Sequence, residues 1–234
     1  MKIVGLQKLT LLDYPGMVAC TVFLDGCNFR CPFCHNSQLL DGGASEVMQP
    51  EELLTFLHSR KGILDGVCIT GGEPTLHPEL PQLLGKIKQM GYRVKLDTNG
   101  YRPDVLRQVV DGGLVDYVAM DVKNGPAAYA ATVGLQRLDI EKIEQSIRCL
   151  AEGAVDYELR CTVVAPLHDE ASVEDMQQWL YSIALGKIKR LYLQSFVDRD
   201  TVPVAGLSAP SNDQMRRYCQ LLRLCAEKIE VRGI

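Results

Sequence analysis

The stretch VACTVFLDGCNFRCPFC, residues 18–34, indicates both a fold class and a site. Its first seven residues are apolar and rich in β-formers, and an Asp-Gly pair ends the run, so we predict a buried strand over residues 18–24. Three cysteines follow at C-x3-C-x2-C spacing: Cys27, Cys31 and Cys34. Because thiolates bind soft or borderline metals, three of them in eight residues predict a metal site directly after the strand.

Predicted strands and helices alternate through the rest of the chain. Apolar runs typical of strands cover residues 66–74, 92–100, 115–123, 157–166 and 188–196. Helical spacing covers residues 50–57, 79–91, 103–113, 139–153, 172–186 and, near the end, about 211–228. Strands that alternate with helices of this length form parallel βαβ units with right-handed crossovers. We count six units and predict an α/β fold, a partial (β/α)6 TIM-like barrel rather than the full eight-unit barrel.

The composition predicts one globular domain. With 234 residues, 47% of them apolar, the chain can bury a substantial core, and no internal repeat or Pro/Ser-rich linker divides it. We therefore expect a single domain over residues 1–234, with its core at about 18–195 and a C-terminal helix and tail over 196–234. Residues 197–210 have the most loop-like composition, and we expect this segment to move.

Charge, hydropathy and cysteine usage limit the cellular setting. The formal net charge is −4 with spread basic residues, so we expect no nucleic-acid partner. No stretch approaches the roughly 18 to 20 apolar residues of a membrane helix, and no secretory signal is visible, so we expect a cytoplasmic protein without a membrane partner. An odd count of nine cysteines argues against a disulfide framework. Six are scattered among apolar neighbours and predicted to be small buried residues: Cys20, Cys68, Cys149, Cys161, Cys219 and Cys225.

Polar motifs follow four of the predicted strands in turn. They are CNFRCPFC, GGEP, DTN and DVK, at residues 27–34, 71–74, 97–99 and 121–123. In parallel α/β folds the carboxyl ends of the strands converge on one face, and ligands bind there. We therefore predict that the four motifs contribute to one site.

Three cysteines leave two kinds of metal site open, zinc and iron–sulfur. A structural zinc site needs four protein ligands, and His35 could complete it only awkwardly because it is adjacent to Cys34. A 4Fe-4S cluster spreads its irons apart, so three cysteines on a short loop can each ligate one iron and leave the fourth open. An open iron calls for a ligand from outside the protein.

The other strand-end motifs indicate the chemistry of that ligand. Paired glycines permit close approach to the backbone, Glu73 can accept an ammonium group, and Lys123 can pair with a carboxylate. An amino-acid head group carries both charges. From the residues alone we predict a zwitterionic ligand on an incomplete cluster.

The cysteine motif, with aromatic Phe33 before its last cysteine, resembles the C-x3-C-x-aromatic-C signature of the radical S-adenosylmethionine (SAM) superfamily. The neighbouring motifs DYPG, GGEP, LDTNG, MDVK and LRCTVVAP look like those of the glycyl-radical activating enzymes. Among these, the sequence is most similar to activating proteins of anaerobic ribonucleoside-triphosphate reductase and also resembles the pyruvate formate-lyase activating enzyme. The resemblance covers about residues 1–195, with the motifs in family order.

The resemblance implies roles for the residues around the cysteines. Cys27, Cys31 and Cys34 would ligate three irons of a 4Fe-4S cluster. Phe33 and the backbone around Cys34 and His35 would lie beside the adenine of SAM.

The resemblance also implies which residues bind the amino-acid part of SAM. The methionine amino group would be received by Gly71, Gly72 and Glu73. Positions that surround a monovalent cation at the SAM carboxylate in the pyruvate formate-lyase activator are matched by Asp97, Thr98 and Asp121. Lys123 matches the lysine paired with that carboxylate. Arg160 matches an arginine of the LR-x-x-VV-x-P strand, although an arginine in an apolar strand could equally pair with a buried carboxylate.

The sequence departs from the pyruvate formate-lyase activator in one place. Where that protein has a Pro-Tyr-His stretch whose histidine contacts the cofactor ribose, this chain has Phe196, which leaves Gln194 or Ser195 as possible substitutes. No ferredoxin-like cysteine insertion, which would indicate auxiliary clusters, separates Cys34 from Gly71.

The implied activity is that of an anaerobic oxidoreductase in which the cofactors, rather than a catalytic side chain, carry the chemistry. An electron from flavodoxin or ferredoxin would reduce the cluster, SAM would be cleaved, and the 5′-deoxyadenosyl radical would take a hydrogen atom from a glycine of a partner glycyl-radical enzyme. Two alternatives stay open: a radical SAM enzyme acting on a small molecule, similar to the 7-carboxy-7-deazaguanine synthases, and a zinc-binding interaction module.

Overall fold

A computed structural model describes residues 1–185 and 188–233. Its strands are β1 (Ile3–Thr10), β2 (Ala19–Leu24), β3 (Gly66–Gly71), β4 (Arg93–Thr98), β5 (Tyr117–Asp121), β6 (Asp156–Val163), β7 (Ile188–Ser195) and β8 (Ala226–Arg232). Its α-helices are α1 (Pro50–Ser59), α2 (Leu80–Gln89), α3 (Pro103–Asp111), α4 (Pro126–Thr132), α5 (Ile140–Glu152), α6 (Glu170–Ala184) and α7 (Asn212–Leu221). From β2 to β7 each strand is followed by at least one helix, which gives the six predicted βα units. The helix predicted over residues 172–186 corresponds to α6, and its predicted last residue, Gly186, lies outside the described residues.

The chain forms two compact units, and it changes unit after residues 28, 37 and 119. The first comprises residues 1–28 and 38–119, and the second comprises residues 29–37 and the chain from 120 onward. In the first unit the strand order is β1-β2-β3-β4, with β1 antiparallel to β2 and the other pairs parallel. In the second unit β6, β7 and β8 pair in parallel. The single-domain prediction for residues 1–234 stays a prediction.

Strand register places the motifs of the first unit at one edge. Leu24 pairs with Gly71 at the carboxyl ends of β2 and β3, and Ile69 pairs with Leu96 on β4. The segments that leave these three ends are 25–28, 71–73 and 97–99. Their alignment follows from the parallel pairing of buried strands that carry Val22, Ile69 and Leu96.

Helix starts follow local sequence chemistry. α1 begins after Gln49, whose side chain and that of Glu52 form a capping box, and Pro50 occupies the first turn, where its missing N–H is tolerated. α7 begins after Ser211, which forms a capping box with Gln214. None of the helices in the described ranges combines the length and the apolar character that crossing a membrane requires.

The C-terminal segment differs from its prediction. The predicted helix over about 211–228 ends at Leu221, and residues 226–232 form β8 where the end of that helix and the start of the tail were predicted. The alternating sequence AEKIEVR pairs in parallel with β7, from Ile188 with Ala226 to Gln194 with Arg232. Strand pairing therefore overrides the predicted helix at residues 226–228, whereas residues 222–224 stay helical as a short 3-10 turn.

Candidate active site

The Gly-Gly turn after β3 packs directly against the chain that precedes the first cysteine. Gly72 N–H donates to Leu24 O at 2.9 Å, and Glu73 N–H donates to Gly26 O at 2.8 Å. A Cβ at Gly72 would lie 2.0 Å from Gly26 O, and one at Gly71, whose φ is +121°, would lie 2.3 Å from Leu24 O. Both positions therefore require glycine, because backbone meets backbone there.

Glu73 is a fully buried carboxylate held by neutral donors. Its Oε1 accepts hydrogen bonds from Thr98 Oγ1 at 2.8 Å and from both the N–H and the hydroxyl of Thr75. Its Oε2 accepts one from Asn99 N–H at 2.6 Å. Burial raises the pKa of Glu73, and these hydrogen bonds oppose the rise. The structure thus brings together predicted site residues from the ends of β3 and β4.

Two asparagines near Cys27 were not singled out from the sequence. Asn99 Nδ2 donates to Asn28 Oδ1 at 2.8 Å and lies 3.9 Å from Cys27 Sγ. Asn28 Nδ2 is buried and has no hydrogen-bond partner among the described residues. Asn99 belongs to the DTN motif, whereas Asn28 lies in the spacer between cysteines, where the sequence carries no signal for it. Amide donors beside a sulfur suit a ligating thiolate.

Asp97 is held separately from Glu73 within the same unit. It pairs with Lys95 on β4, and Thr70 Oγ1 on β3 donates to its Oδ2 at 3.3 Å. Thr98, the next residue, points the other way and donates to Glu73. Two adjacent residues predicted for one ligand therefore have different partners.

In the second unit, Cys31 and Cys34 form a tight turn beside a lysine. Cys34 N–H donates to Cys31 O at 3.2 Å. Burial raises the pKa of Cys31 to about 11 against the opposing effect of Lys123, and burial also raises the pKa of Cys34. Since a thiolate is the form that ligates metals, bound metal would have to displace these protons. Buried Phe33 lies between them in sequence, with Lys123 Nζ 5.9 Å from its ring centroid.

Asp121 joins two cations at the carboxyl end of β5. Lys123 Nζ donates to its Oδ2 and Arg160 Nε to its Oδ1, both at 2.9 Å. Burial acts to raise the pKa of Asp121, but the two cations outweigh burial and hold the pKa at about 2. Burial acts to lower the pKa of Lys123, and Asp121 more than compensates and raises it. Arg160 therefore does pair with a carboxylate, the partly buried Asp121 beside Lys123.

His35 ties the cysteine segment to the loop after β7, within the second unit. Its Nε2 makes a hydrogen bond with Val197 O at 2.7 Å, and its ring stacks on Phe196 with centroids 5.9 Å apart. Ser37 Oγ donates to Thr201 O in the same loop. Phe196 is buried, so the residue in place of the expected ribose-binding histidine packs against His35.

Within residues 1–185 and 188–233, no three His, Cys, Asp or Glu side chains are grouped as a single metal ion requires. The residues with suitable chemistry for a cluster are the thiols of the C-x3-C-x2-C motif, and those for a charged organic ligand are Glu73 and Lys123.

The sequence matches the family model described as "Radical SAM superfamily" over residues 21–180. It is 29% identical over 238 residues to MJ1227 of Methanocaldococcus jannaschii, a provisionally named glycyl-radical enzyme activating enzyme, with 98% of this chain and 95% of the relative covered. It is 32% identical over 128 residues to the pyruvate formate-lyase-activating enzyme of Clostridium pasteurianum, covering 53% of this chain and 52% of that one. A 7-carboxy-7-deazaguanine synthase of Neisseria meningitidis is 34% identical over 142 residues, or 60% of this chain and 57% of the relative.

Solved structures share the fold at low sequence identity. A domain of a pyruvate-formate lyase-activating enzyme from Bacteroides vulgatus aligns with a TM-score of 0.58 and 23% identity, covering 72% of this chain and 99% of that one. TYW1 with a lysine-pyruvate adduct aligns with a TM-score of 0.65 and 17% identity over 89% of this chain and 74% of that one. The predicted partial (β/α)6 barrel class is confirmed. With the family model matching more than half of its length, the chain belongs to the radical SAM superfamily of enzymes.

Proposed function

We propose that this protein installs a glycyl radical on a partner enzyme, and that the partner is an anaerobic ribonucleoside-triphosphate reductase. The observation that carries the proposal is the similarity to MJ1227 over nearly the whole of both chains. The superfamily implies a 4Fe-4S cluster and SAM as the cofactors. The partner assignment rests on the motif resemblance alone.

The cluster would be held by Cys27, Cys31 and Cys34. The donor set fits, because three thiols and no fourth leave one iron open for SAM. Asn99, 3.9 Å from Cys27 Sγ, supplies an amide donor to the first sulfur. The positive charge of Lys123 favours the thiolate form of Cys31.

SAM would be bound by charge complementarity at both ends of its amino-acid part. Glu73 would accept the ammonium group, with Gly71 and Gly72 keeping the backbone close. Lys123 has three N–H donors and gives one to Asp121, so it has further donors for the carboxylate. Arg160 would position Asp121, and through it Lys123. When bound, the cluster and SAM supply a one-electron cleavage of the sulfonium and the removal of a hydrogen atom.

The adenine would lie beside Phe33, Cys34 and His35. The stack of His35 on Phe196 fixes the imidazole ring at the end of the cysteine segment. An electron donor such as flavodoxin or ferredoxin would reduce the cluster. We propose no general acid or base, because the role of the side chains is to orient the cofactors and exclude water.

The test is anaerobic purification followed by reduction with SAM present. We expect a brown protein that cleaves SAM and, on addition of an anaerobic ribonucleotide reductase, a glycyl-radical signal by electron paramagnetic resonance. Cys31→Ala should abolish SAM cleavage while leaving the fold intact by circular dichroism, and Cys225→Ala, outside the motif, is the control. A colourless protein with one bound zinc, or normal cleavage by Cys31→Ala, would refute the proposal.

A second candidate is a radical SAM enzyme acting on a small molecule. The similarity to the 7-carboxy-7-deazaguanine synthase favours it, although it covers 60% of this chain. Turnover of a small molecule without any protein substrate would decide for this alternative.

A further inference from the structure

The first unit contains a buried cluster of side chains on β3 and β4 that includes a lysine. Lys95 and Asp97 are two residues apart on β4, so their side chains project from the same face of the strand. Cys68 is the register partner of Lys95 on β3, and Thr70 lies two residues further along. One face of two neighbouring strands therefore carries a thiol, a hydroxyl, an ammonium and a carboxylate.

The ammonium of Lys95 is committed to Asp97. Lys95 Nζ donates to Asp97 Oδ1 and lies 3.8 Å from Cys68 Sγ, and its side chain is only 2% exposed. Asp97 is 16% exposed and accepts a second hydrogen bond from Thr70. A lysine is almost never this deeply buried unless it is paired, because an isolated charge would lose its hydration without compensation.

This pairing does not fit the monovalent cation that the resemblance implies. Asp97 already faces a positive charge, Thr98 Oγ1 donates to Glu73, and Asp121 is paired with two cations. A sodium or potassium ion at Asp97 would share one carboxylate with the buried ammonium of Lys95. Two positive charges on the same carboxylate repel each other strongly in a low-dielectric setting. Each of the three residues predicted as cation ligands thus has another partner within its own unit.

We propose that the Lys95 ammonium takes the place of the monovalent cation at Asp97, so that SAM binding by this protein does not require Na⁺ or K⁺. The inference rests on the proposed function, since it concerns the site that would bind the amino-acid part of SAM. Lys95 is a positioning residue here: it neutralises Asp97 with a charge that cannot dissociate.

The experiment measures SAM affinity in chloride salts of Na⁺, K⁺ or tetramethylammonium at equal ionic strength, by equilibrium dialysis of the anaerobically reconstituted protein. For the wild type we expect dissociation constants that agree within about twofold. Lys95→Met should bind SAM about tenfold more weakly in tetramethylammonium and recover most of that loss in Na⁺ or K⁺. Lys88→Met is the control, because it removes another Lys–Asp pair of the same unit, with Asp116, and leaves Asp97 intact.

A second readout needs neither the cluster nor SAM. The unfolding midpoint of the cofactor-free Lys95→Met chain should rise with Na⁺ or K⁺ beyond its rise with tetramethylammonium, whereas the wild-type midpoint should not distinguish the three ions. Wild-type SAM affinity that increases severalfold with Na⁺ or K⁺ would overturn the proposal. So would a Lys95→Met protein indifferent to the cation, which would make the pair purely structural.

The failures of the two proposals are distinguishable. Wild-type protein that binds no SAM in any salt would refute the proposed function, and the midpoint measurement would still decide the role of Lys95. If Lys95→Met does not fold, the wild-type salt comparison decides alone, and Lys95→Gln, which keeps a donor to Asp97 without the charge, repeats the variant test.

Discussion

The two compact units each hold a carboxylate at a strand end, fully buried in the first unit and partly buried in the second, and they hold it in opposite ways. In the first unit Glu73 accepts hydrogen bonds from hydroxyl and main-chain N–H groups, and burial raises its pKa. In the second unit Asp121 is paired with Lys123 and Arg160, which outweigh burial and hold its pKa at about 2. The partners of the two carboxylates differ in charge, and Asp121, whose side chain is 28% exposed, is also less buried than Glu73.

This difference gives each group, meaning the carboxylate together with its hydrogen-bonding or charged partners, a preferred ligand charge. The described partners of Glu73 are neutral, so an ionised Glu73 leaves one negative charge that a cationic ligand would compensate. Around Asp121 two cations face one carboxylate, so the group keeps one positive charge and favours an anionic ligand. Each group, taken within its own unit, therefore favours one of the two charges that an amino-acid head group carries.

The surroundings of Glu73 in the first unit depend on close backbone contact at Gly72. We therefore expect Gly72→Ala to have the largest effect on the free energy of unfolding. The new methyl group would lie 2.0 Å from Gly26 O, and the main chain cannot move aside as a side chain can. We expect the free energy of unfolding to fall by about 3 kcal/mol or more, measured by urea denaturation. Gly43→Ala is the matched control, since nothing lies within 4 Å of a Cβ there. Equal stability of the two variants would show that this contact is not close in solution.

The surroundings of Asp121 in the second unit depend on charge. We therefore expect Arg160→Met to have the next largest effect on the free energy of unfolding. The variant leaves Asp121 with one cation instead of two. We expect a loss of about 2 kcal/mol at neutral pH, less than for a fully buried pair because both side chains keep some exposure to water. Arg190→Met, which removes a more exposed pair with Asp156, should lose less than about 0.5 kcal/mol. If Arg160→Met and Arg190→Met lost similar free energies of unfolding, the pairing of Asp121 with Arg160 would contribute no more than an exposed ion pair.

Much of this fold could be predicted from sequence because its pattern is local. The six βα units follow from apolar runs and helical spacing, each visible within about a dozen residues. β8 could not be recognised in this way, because residues 226–232 become a strand by pairing with β7. β1 was not predicted either, since it is a half-exposed antiparallel strand with no clear apolar run.

The site was predictable in its residue types but less so in its contacts. The Gly-Gly turn is visible in the sequence, whereas its close approach to Gly26 depends on the register of β2 and β3. Lys95 would ordinarily be interpreted as a solvated lysine. The i, i+2 spacing of Lys95 and Asp97 on a predicted strand was the available signal, because it places both charges on one face.

The charge of Glu73 can be tested separately from its hydrogen bonds. Glu73→Gln keeps the size of the side chain but removes the charge, and we expect SAM to bind at least about tenfold more weakly. Thr98→Val removes one donor to Glu73 and keeps the charge, so its effect on affinity should be smaller. Equilibrium dialysis of the reconstituted variants measures both. A Glu73→Gln protein with wild-type affinity would remove Glu73 from the ammonium site.

The smallest expected effect is a pair of opposite pH dependences. The folded-state pKa of Asp121, about 2, lies below the unfolded value, so its contribution to stability is complete above about pH 5 and is lost as pH falls through about 2. The folded-state pKa of Glu73 is raised, so the folded protein holds that proton longer, and stability declines as pH rises from the unfolded toward the folded pKa. Urea denaturation across this pH range, with Asp121→Asn and Glu73→Gln as references, should give difference curves of opposite slope. Curves of the same slope would mean that folding shifts the pKa of both carboxylates in the same direction. That result would contradict the contrast between Glu73 and Asp121.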